Sequence, residues 1–90
     1  MKKLFNFSVT LDRLNQGMKL TRSGWNGKGM FIFLVQSSTF LVNRPPLIEI
    51  FPEGTVMNYN AHIDMKMVNG DIMVWTPSQD DLLANDWYVV

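Results

Sequence analysis

The sequence contains no cysteine, few charged residues and no long apolar stretch. Without cysteine the chain cannot form a disulfide bond, a thiolate nucleophile or a zinc–thiolate site, and this composition is typical of a reducing cytoplasm. The longest apolar stretch, residues 30–35, is far too short to span a bilayer. Polar residues interrupt the amino-terminal segment too often for a signal peptide. We therefore expect neither a membrane span nor an export signal.

The charges that are present cancel, because eight basic residues face eight acidic ones. No basic field is available to hold a nucleic-acid polymer, and the same balance argues against binding to an anionic membrane. Charged residues make up 18% of the chain and apolar residues 47%, against about 25% charged in a typical domain. Either the core is rich in apolar residues, or some of them form a surface for a ligand or partner.

The length of 90 residues predicts one domain, over residues 1–90, with a small core. A first helix is predicted over about residues 8–16, with Asn6 or Ser8 as N-cap and Gly17 just after its end. One face of this helix would carry the apolar residues spaced four, three and four positions apart: Phe7, Leu11, Leu14 and Met18.

A second short helix is predicted to start at Thr76, which can cap it. Pro77 suits the first helical position, and Gln79 can complete a capping box. Asp80 and Asp81 then fall in the first turn, where the helix dipole favours negative charge. The helix is expected to end near Ala84 or Asn85.

Strands are predicted at residues 18–22, 30–36, 62–68, 71–75 and 87–90. Residues 30–36 read as a central strand with both faces buried, and Asn69 with Gly70 predicts a two-residue hairpin turn. Residues 47–51 are ambiguous and fit a short strand. The predicted fold class is α+β: a small antiparallel sheet of about five strands with two short helices, in an oligomer.

Catalytic residues are not indicated by the sequence. His62 is a lone histidine on the polar side of a predicted strand, and no metal-ligand spacing is present. Asp80 and Asp81 are adjacent on a helix, so their carboxylates do not face each other. We expect no enzyme activity, no metal and no cofactor.

The most informative segment is the aromatic-glycine turn of residues 22–30. It lacks the spacing of a phosphate-binding loop, but its three glycines allow a close approach of the backbone to a ligand. Trp25, Asn26, Arg22 and Lys28 together suit a nucleotide-like ligand. The alternative is a structural turn with Trp25 packed inward. The turn alone leaves both interpretations open.

Two motifs resemble one family. Residues 22–30 read Arg-x-Gly-Trp-Asn-Gly-Lys-Gly-Met, and residues 75–87 read Trp-Thr-Pro-Ser-Gln-x-Asp-Leu-Leu-Ala-x-Asp-Trp. Both are similar to the Thoeris anti-defence 2 (Tad2) family. The likeness extends from Gly17-x-Lys19-x-x-Arg22 to the carboxyl terminus, whereas residues 40–60 carry little of it.

The resemblance implies a phage or prophage protein acting in the cytoplasm of an infected bacterium. Members of the family sequester cyclic ADP-ribose isomers made by TIR-domain proteins of the Thoeris system, such as glycocyclic ADP-ribose (gcADPR), without cleaving them. Some members also bind cyclic dinucleotides at a separate site. The resemblance further implies a homotetramer, a dimer of dimers, with ligand pockets between protomers.

For this chain, the resemblance implies that Trp25 or Trp75 stacks on the adenine. Arg22, Lys28 and backbone amides of the turn would contact the pyrophosphate. Because the net charge is zero, local cations must supply the positive field, and Arg44 is a further candidate.

Asn26, Gln79, Asp80 and Asp86 are candidates for the ribose hydroxyls, which suit amide and carboxylate acceptors. Structural alternatives remain, since Gln79 is also a capping residue and Asp86 can instead bond to the turn. Two rival functions also remain: a module that blocks a host or immune protein, and a hydrolase of the cyclic signal.

Overall fold

The computed structural model describes residues 2–25 and 28–90. These residues form a five-stranded sheet, two helices and a two-stranded arm. In chain order the elements are α1 (Phe7–Asn15), β1 (Leu20–Arg22), β2 (Phe31–Val35), β3 (Ser38–Leu41), a 3-10 turn (Leu47–Glu49), β4 (Val56–Tyr59), β5 (His62–Lys66), β6 (Ile72–Val74), α2 (Gln79–Leu83) and β7 (Trp87–Val89).

The main sheet has the strand order β6-β5-β2-β1-β7, with every pair antiparallel. The predicted α+β class and the central position of β2 are confirmed. Helix α1 packs over β1, β2 and β7, and α2 contacts α1. The core between helices and sheet contains Leu14, Leu20, Ile32, Met65, Trp75 and Trp87.

Burial of β2 on both faces was expected, but Ile32 is the buried residue of this strand and the other four are half-buried. The helices cover the face to which Ile32 points. Because side chains alternate along a strand, Phe31 and Phe33 lie on the opposite face. No helix of the described part of the chain packs there.

The predicted ends of α1 are confirmed. The Asn6 side chain accepts a hydrogen bond from the Val9 N–H at 3.1 Å. At the other end Gly17 has φ +87°, and the N–H groups of Gly17 and Met18 reach back to the carbonyls of Leu14 and Arg13. These two hydrogen bonds form the Schellman motif, a common helix end with glycine in the left-handed conformation.

The predicted apolar face of α1 is half wrong. Phe7 and Leu14 pack inward together with Thr10, whereas Leu11 is 45% and Met18 37% exposed. These inward-facing residues are spaced three and four positions apart, as one face of a helix requires, and the middle one is a threonine. The Thr10 hydroxyl donates to the Asn6 carbonyl at 3.2 Å, so its burial leaves no unpaired hydroxyl.

Helix α2 begins two residues later than predicted. Its N-cap is Ser78, whose hydroxyl accepts from the Asp81 N–H at 3.1 Å, while the Asp81 carboxylate accepts from the Ser78 N–H at 3.1 Å. The prediction of a Thr76 cap with Gln79 as its reciprocal partner is therefore wrong. A shorter aspartate takes the place that glutamate or glutamine usually holds in a capping box.

The hairpin predicted at Asn69 and Gly70 is present between β5 and β6, but its loop is longer than predicted. Gly70 has φ +93°, and no described non-glycine residue has positive φ. The Gly70 N–H donates to the Met67 carbonyl, and the Met67 N–H donates to the Asp71 carbonyl. The loop thus has three residues and places only its glycine in the left-handed region.

The arm, residues 38–59, was not predicted. It consists of β3 and β4, and residues 47–51, which fit a short strand, instead contain the 3-10 turn. Val35 pairs with His62 and Ser38 with Tyr59, so the arm keeps the register of the β2–β5 hairpin and extends it. The described chain measures 52 × 26 × 22 Å.

Candidate functional site

Arg22 connects the two sequence motifs. Its Nε donates to Asp86 Oδ1 at 2.8 Å, and its Nη1 donates to Asp81 Oδ1 at 2.8 Å. Arg22 ends β1, Asp81 lies in α2, and Asp86 lies between α2 and β7. The Arg22 guanidinium group therefore connects α2 and the segment after it to the start of the aromatic-glycine turn.

The turn itself is held by the same two carboxylates. Asp86 Oδ2 accepts from the Gly24 N–H at 2.7 Å, and Asp81 Oδ1 accepts from the Trp25 indole N–H at 3.0 Å. We call Arg22, Trp25, Asp81 and Asp86 the arginine network. Glycine suits position 24, because a Cβ there would lie only 3.0 Å from Asp86 Oδ2 and the carboxylate would have to shift.

The Trp25 ring packs edge-on against Trp87, with ring centroids 5.1 Å apart, and against Trp75 at 6.5 Å. Trp75 is 9% exposed and Trp87 is fully buried. Trp25 is half-buried. The turn is thus anchored inward by its tryptophan.

The network changes the acidity of its members. The pKa of Asp86 is lowered, mainly by the hydrogen bond from Arg22, although partial burial acts in the opposite direction. Burial acts most strongly on Asp81 and would raise its pKa, but hydrogen bonds from Trp25, Arg22 and Ser78 together lower it. The hydrogen bond to Asp86 is the main cause of a raised pKa at Arg22. All three groups are therefore charged at neutral pH.

A pocket of about 600 Å³ lies beside the network, and we call it the lysine pocket. Its lining consists of Lys2, Lys19, Thr21, Arg22, Ser23, Trp25, Lys28, Gly29, Met30, Phe31, Tyr88 and Val90. No acidic residue is among these described lining residues. Its size falls in the range of small-molecule sites.

Ammonium groups lie close to aromatic rings in this pocket and at its edge. Lys2 Nζ lies 4.1 Å from the centroid of the Tyr88 ring. Lys19 Nζ and Lys66 Nζ lie 5.1 and 5.6 Å from the centroid of Phe31, and Lys66 also donates to the Gly29 carbonyl at 3.1 Å. A surface of this kind suits a ligand that combines negative charge with a flat ring.

A second pocket, of about 660 Å³, lies on the arm. Arg44 is the charged residue among its described lining, and most of the others are apolar. For an anionic ligand the lysine pocket therefore has the more favourable chemistry, although the pocket on the arm is slightly larger.

Of the residues predicted from sequence to bind a ligand, Arg22, Trp25 and Lys28 line the lysine pocket. The Nε and Nη1 of Arg22 and the indole N–H of Trp25 already donate to carboxylates. Asp86 holds the turn and Trp75 lies in the core.

The remaining predicted residues lie elsewhere. Gln79 and Asp80 are exposed in the first turn of α2, outside the lining of the lysine pocket. Arg44 is on the arm, and Asn26 lies outside the described residues. Sequence reasoning missed Asp81 as the network's shared acceptor, although this residue is part of the second motif.

Sequence reasoning also missed the lysines other than Lys28, together with Phe31 and Tyr88. Strand alternation gives a partial signal, because Lys19 and Thr21 alternate with the core residue Leu20. Among the residues that the structure describes, no group of three or more His, Cys, Asp or Glu side chains is placed to hold a metal ion. No helix in that part of the chain is long and apolar enough to cross a membrane.

Comparisons with known proteins agree with the two motifs. The family model described as the Thoeris anti-defense 2-like (Tad2-like) domain matches residues 5–90. A protein of Bacillus phage SP01 named "Thoeris anti-defense 2" is 39% identical over an alignment of 93 positions, which covers 100% of this chain and 99% of the phage protein. The matched region therefore spans the residues of both the arginine network and the arm.

Proposed function

The chain belongs to the Tad2-like family, and on that premise we propose that it is a phage anti-defence protein that sequesters a cyclic nucleotide immune signal. The signal proposed is gcADPR, made by TIR-domain proteins of the Thoeris system. The protein would hold this molecule intact in the cytoplasm of the infected bacterium. It would need no cofactor.

The lysine pocket is the observation that supports this proposal. Lys2, Lys19 and Lys28 line it, and Lys66 lies at the edge of its Phe31 wall. Together with Arg22, these lysines bring five of the eight basic residues of a chain with zero net charge to one place. A cyclic ADP-ribose carries a pyrophosphate, which lysine ammonium groups bind as point charges, and an adenine, which an aromatic face can stack on.

Within this proposal, Lys28 keeps its predicted contact with the pyrophosphate. Arg22 acts mainly by fixing the turn, because two carboxylates already occupy its Nε and Nη1. Trp25 contributes one wall while its N–H bonds to Asp81. The adenine would then stack on Phe31 or Tyr88, instead of on the buried Trp75.

Binding without cleavage is proposed because of the groups at the pocket. The side chains of its described lining offer ammonium groups, hydroxyls and rings, but no carboxylate or imidazole that could act as a general base. The arginine network's carboxylates are held by strong hydrogen bonds to other groups. A hydrolase is the less favoured candidate.

We also propose that the protein works as a homotetramer, a dimer of dimers. Large apolar side chains are exposed on the arm, on β6 and on α2, including Leu41, Val74 and Leu83. A monomer with so small a core would leave this apolar area in water. A cyclic dinucleotide is proposed as a second class of ligand only by analogy with the family.

One experiment separates the candidate functions. The protein is incubated with gcADPR, filtered to remove unbound ligand and heat-denatured, and the released material is analysed by mass spectrometry. Release of intact gcADPR is expected. Release of an altered nucleotide would indicate a hydrolase, and the absence of any retained nucleotide would favour a module that blocks a protein. A parallel incubation with a cyclic dinucleotide tests the second ligand class.

A further inference from the structure

Asp64 is a carboxylate that belongs neither to the arginine network nor to the lysine pocket. It lies in β5 next to the core residue Met65, so its side chain is on the face of the main sheet opposite the helices. Asp64 Oδ1 is buried and accepts no hydrogen bond from any residue that the structure describes. A buried acceptor without a donor is costly to the fold. A nearby group that can become a donor is therefore of interest.

His62 is that group, two residues earlier on the same face of β5. Its Nε2 lies 3.4 Å from Asp64 Oδ1, and its Nδ1 lies 3.2 Å from the carbonyl oxygen of Asn60. Both ring nitrogens therefore face acceptors. A neutral imidazole carries one N–H and can donate to only one of them, whereas an imidazolium donates to both. The arrangement suits the charged form of the ring.

The surroundings leave this pair to itself. The three side chains directly opposite the pair on β2 and β6 are apolar: Val35, Phe33 and Val74. Strands β3 and β4 carry no charged residue. Lys66, the next residue on the same face of β5, donates instead to the Gly29 carbonyl at 3.1 Å. Within the described ranges, His62 and Asp64 are thus each other's charged partner.

The pair lies where the arm joins the main sheet. The ladder between β2 and β5 ends at His62, and the arm, residues 38–59, begins beyond it. Between them lie residues 36–37 and 60–61, which are in no ladder pair, and we call them the root of the arm. In the described chain, neither strand of the arm packs against a helix or the main sheet. The contact of His62 with the Asn60 carbonyl therefore joins the main sheet to the root.

We propose that His62 is a pH-sensitive brace for the root of the arm. When the ring gains its second proton, Nε2–H donates to Asp64 while Nδ1–H donates to the Asn60 carbonyl, so the ring is held at both ends. A charged N–H···O⁻ bond is about 2.7–2.9 Å long, so a shift of roughly half an ångström closes the contact with Asp64.

The pH window of the brace follows from the two kinds of group. An imidazole ordinarily gains its second proton as the pH falls through about 6.5, and a carboxyl ordinarily stays charged down to about pH 4. The brace therefore forms between these values and opens as the pH rises above them. At 40% exposure the His62 side chain is accessible to solvent protons. The inference does not depend on which ligand the lysine pocket holds.

The test is nuclear magnetic resonance of the full-length, ¹⁵N-labelled protein at pH 5 and pH 8.5. The chain has one histidine, so a long-range ¹H–¹⁵N spectrum reports the protonation of both His62 nitrogens without ambiguity. Backbone relaxation gives the order parameters of Asn60 and Ala61. In the wild type these are expected to be about 0.85 at pH 5, as in a rigid backbone, and to fall toward 0.6 at pH 8.5.

Three variants separate the brace from other effects of pH. Asp64→Asn keeps the size of the side chain and removes its charge, and His62→Gln has no proton to gain. Both should show the same order parameters at pH 5 and pH 8.5. Asp71→Asn makes the same substitution at an exposed aspartate between β5 and β6, and it should keep the pH dependence of the wild type.

Unchanged tryptophan emission verifies the fold of every variant, since all three tryptophans lie outside the arm and its root. Equal order parameters at both pH values in the wild type would overturn the inference. A pH dependence that survives undiminished in Asp64→Asn would also overturn it, because the charge of the carboxylate would then play no part.

Discussion

Replacement of Asp81 by alanine tests the arginine network most sharply. Asp81 is 8% exposed. Its Oδ1 accepts from Arg22 and from Trp25, and its Oδ2 accepts from the N–H of Ser78. One side chain therefore joins β1, the aromatic-glycine turn and the start of α2. Alanine removes all three acceptor contacts at once.

The cost follows from what remains after the substitution. Removing one partner of a buried ion pair costs about 3–5 kcal/mol. Arg22 keeps its hydrogen bond to Asp86, and the side chains of Arg22 and Asp81 are 17% and 12% exposed. We therefore expect the lower end, about 3 kcal/mol. For a chain of this length that corresponds to a fall in Tm of roughly 12–24 °C.

The measurement is urea and thermal unfolding followed by circular dichroism, at one fixed protein concentration because an oligomer's Tm depends on it. The control is Asp80→Ala, which removes the neighbouring aspartate from the same helix turn. Asp80 is exposed, so only its favourable interaction with the helix dipole is lost, about 0.5 kcal/mol. Equal effects of the two substitutions would refute the idea that Asp81 holds the turn.

Three further predictions follow from single features. The folded pKa values of Asp81 and Asp86 are lowered. The stability that these carboxylates give to the fold is therefore present above the ordinary carboxyl pKa of about 4, and it is lost as the pH falls through the lowered values. Urea titrations between pH 7 and pH 2 should show this loss of stability, and a smaller loss in Asp81→Ala. Gly24→Ala should destabilise by about 1–2 kcal/mol, since the new Cβ meets Asp86 Oδ2 at 3.0 Å, whereas Ser23→Ala should be nearly neutral in the same unfolding assay. Gly70→Ala should cost about 1 kcal/mol because φ is +93° there, and a neutral result would contradict the loop geometry.

The sequence predicted well those elements whose signals are local. The first helix has its cap and its terminating glycine within a few residues, and the β5–β6 hairpin has Gly70 at its turn. The start of α2 was misplaced because Thr76 and Ser78 are both good capping residues. The choice between them is made by Asp81, which bonds to Ser78 as well as to the distant Arg22.

The arm was missed because its pairing is long-range. Residues 47–51 are apolar enough for a strand, but the strands form on either side of them, where Ser38–Leu41 meets Val56–Tyr59. A composition pattern does not reveal that this pair continues the register of β2 and β5. Exposure of so many apolar residues in one segment also defeats the usual assumption that such residues lie in the core.

The candidate site was partly predictable. The aromatic-glycine turn and Lys28 follow from the first motif, and they line the lysine pocket. Lys2, Lys19 and Lys66 are too far apart in the chain to be recognised as a group, since only the sheet brings them to Phe31 and Tyr88. Trp25 holds the turn through its N–H bond to Asp81 and also lines the pocket, and its contact with a ligand stays a prediction.

Calorimetric titration with gcADPR tests the proposed function of the lysine pocket most directly. Lys19→Ala combined with Lys28→Ala removes two ammonium groups from the pocket, and Lys3→Ala removes one that does not line it. With about 1 kcal/mol for each partly exposed phosphate contact, the double variant should bind roughly 30-fold more weakly than the wild type. Lys3→Ala should bind as the wild type does. Equal affinity in all three proteins would contradict the assignment of the ligand to this pocket.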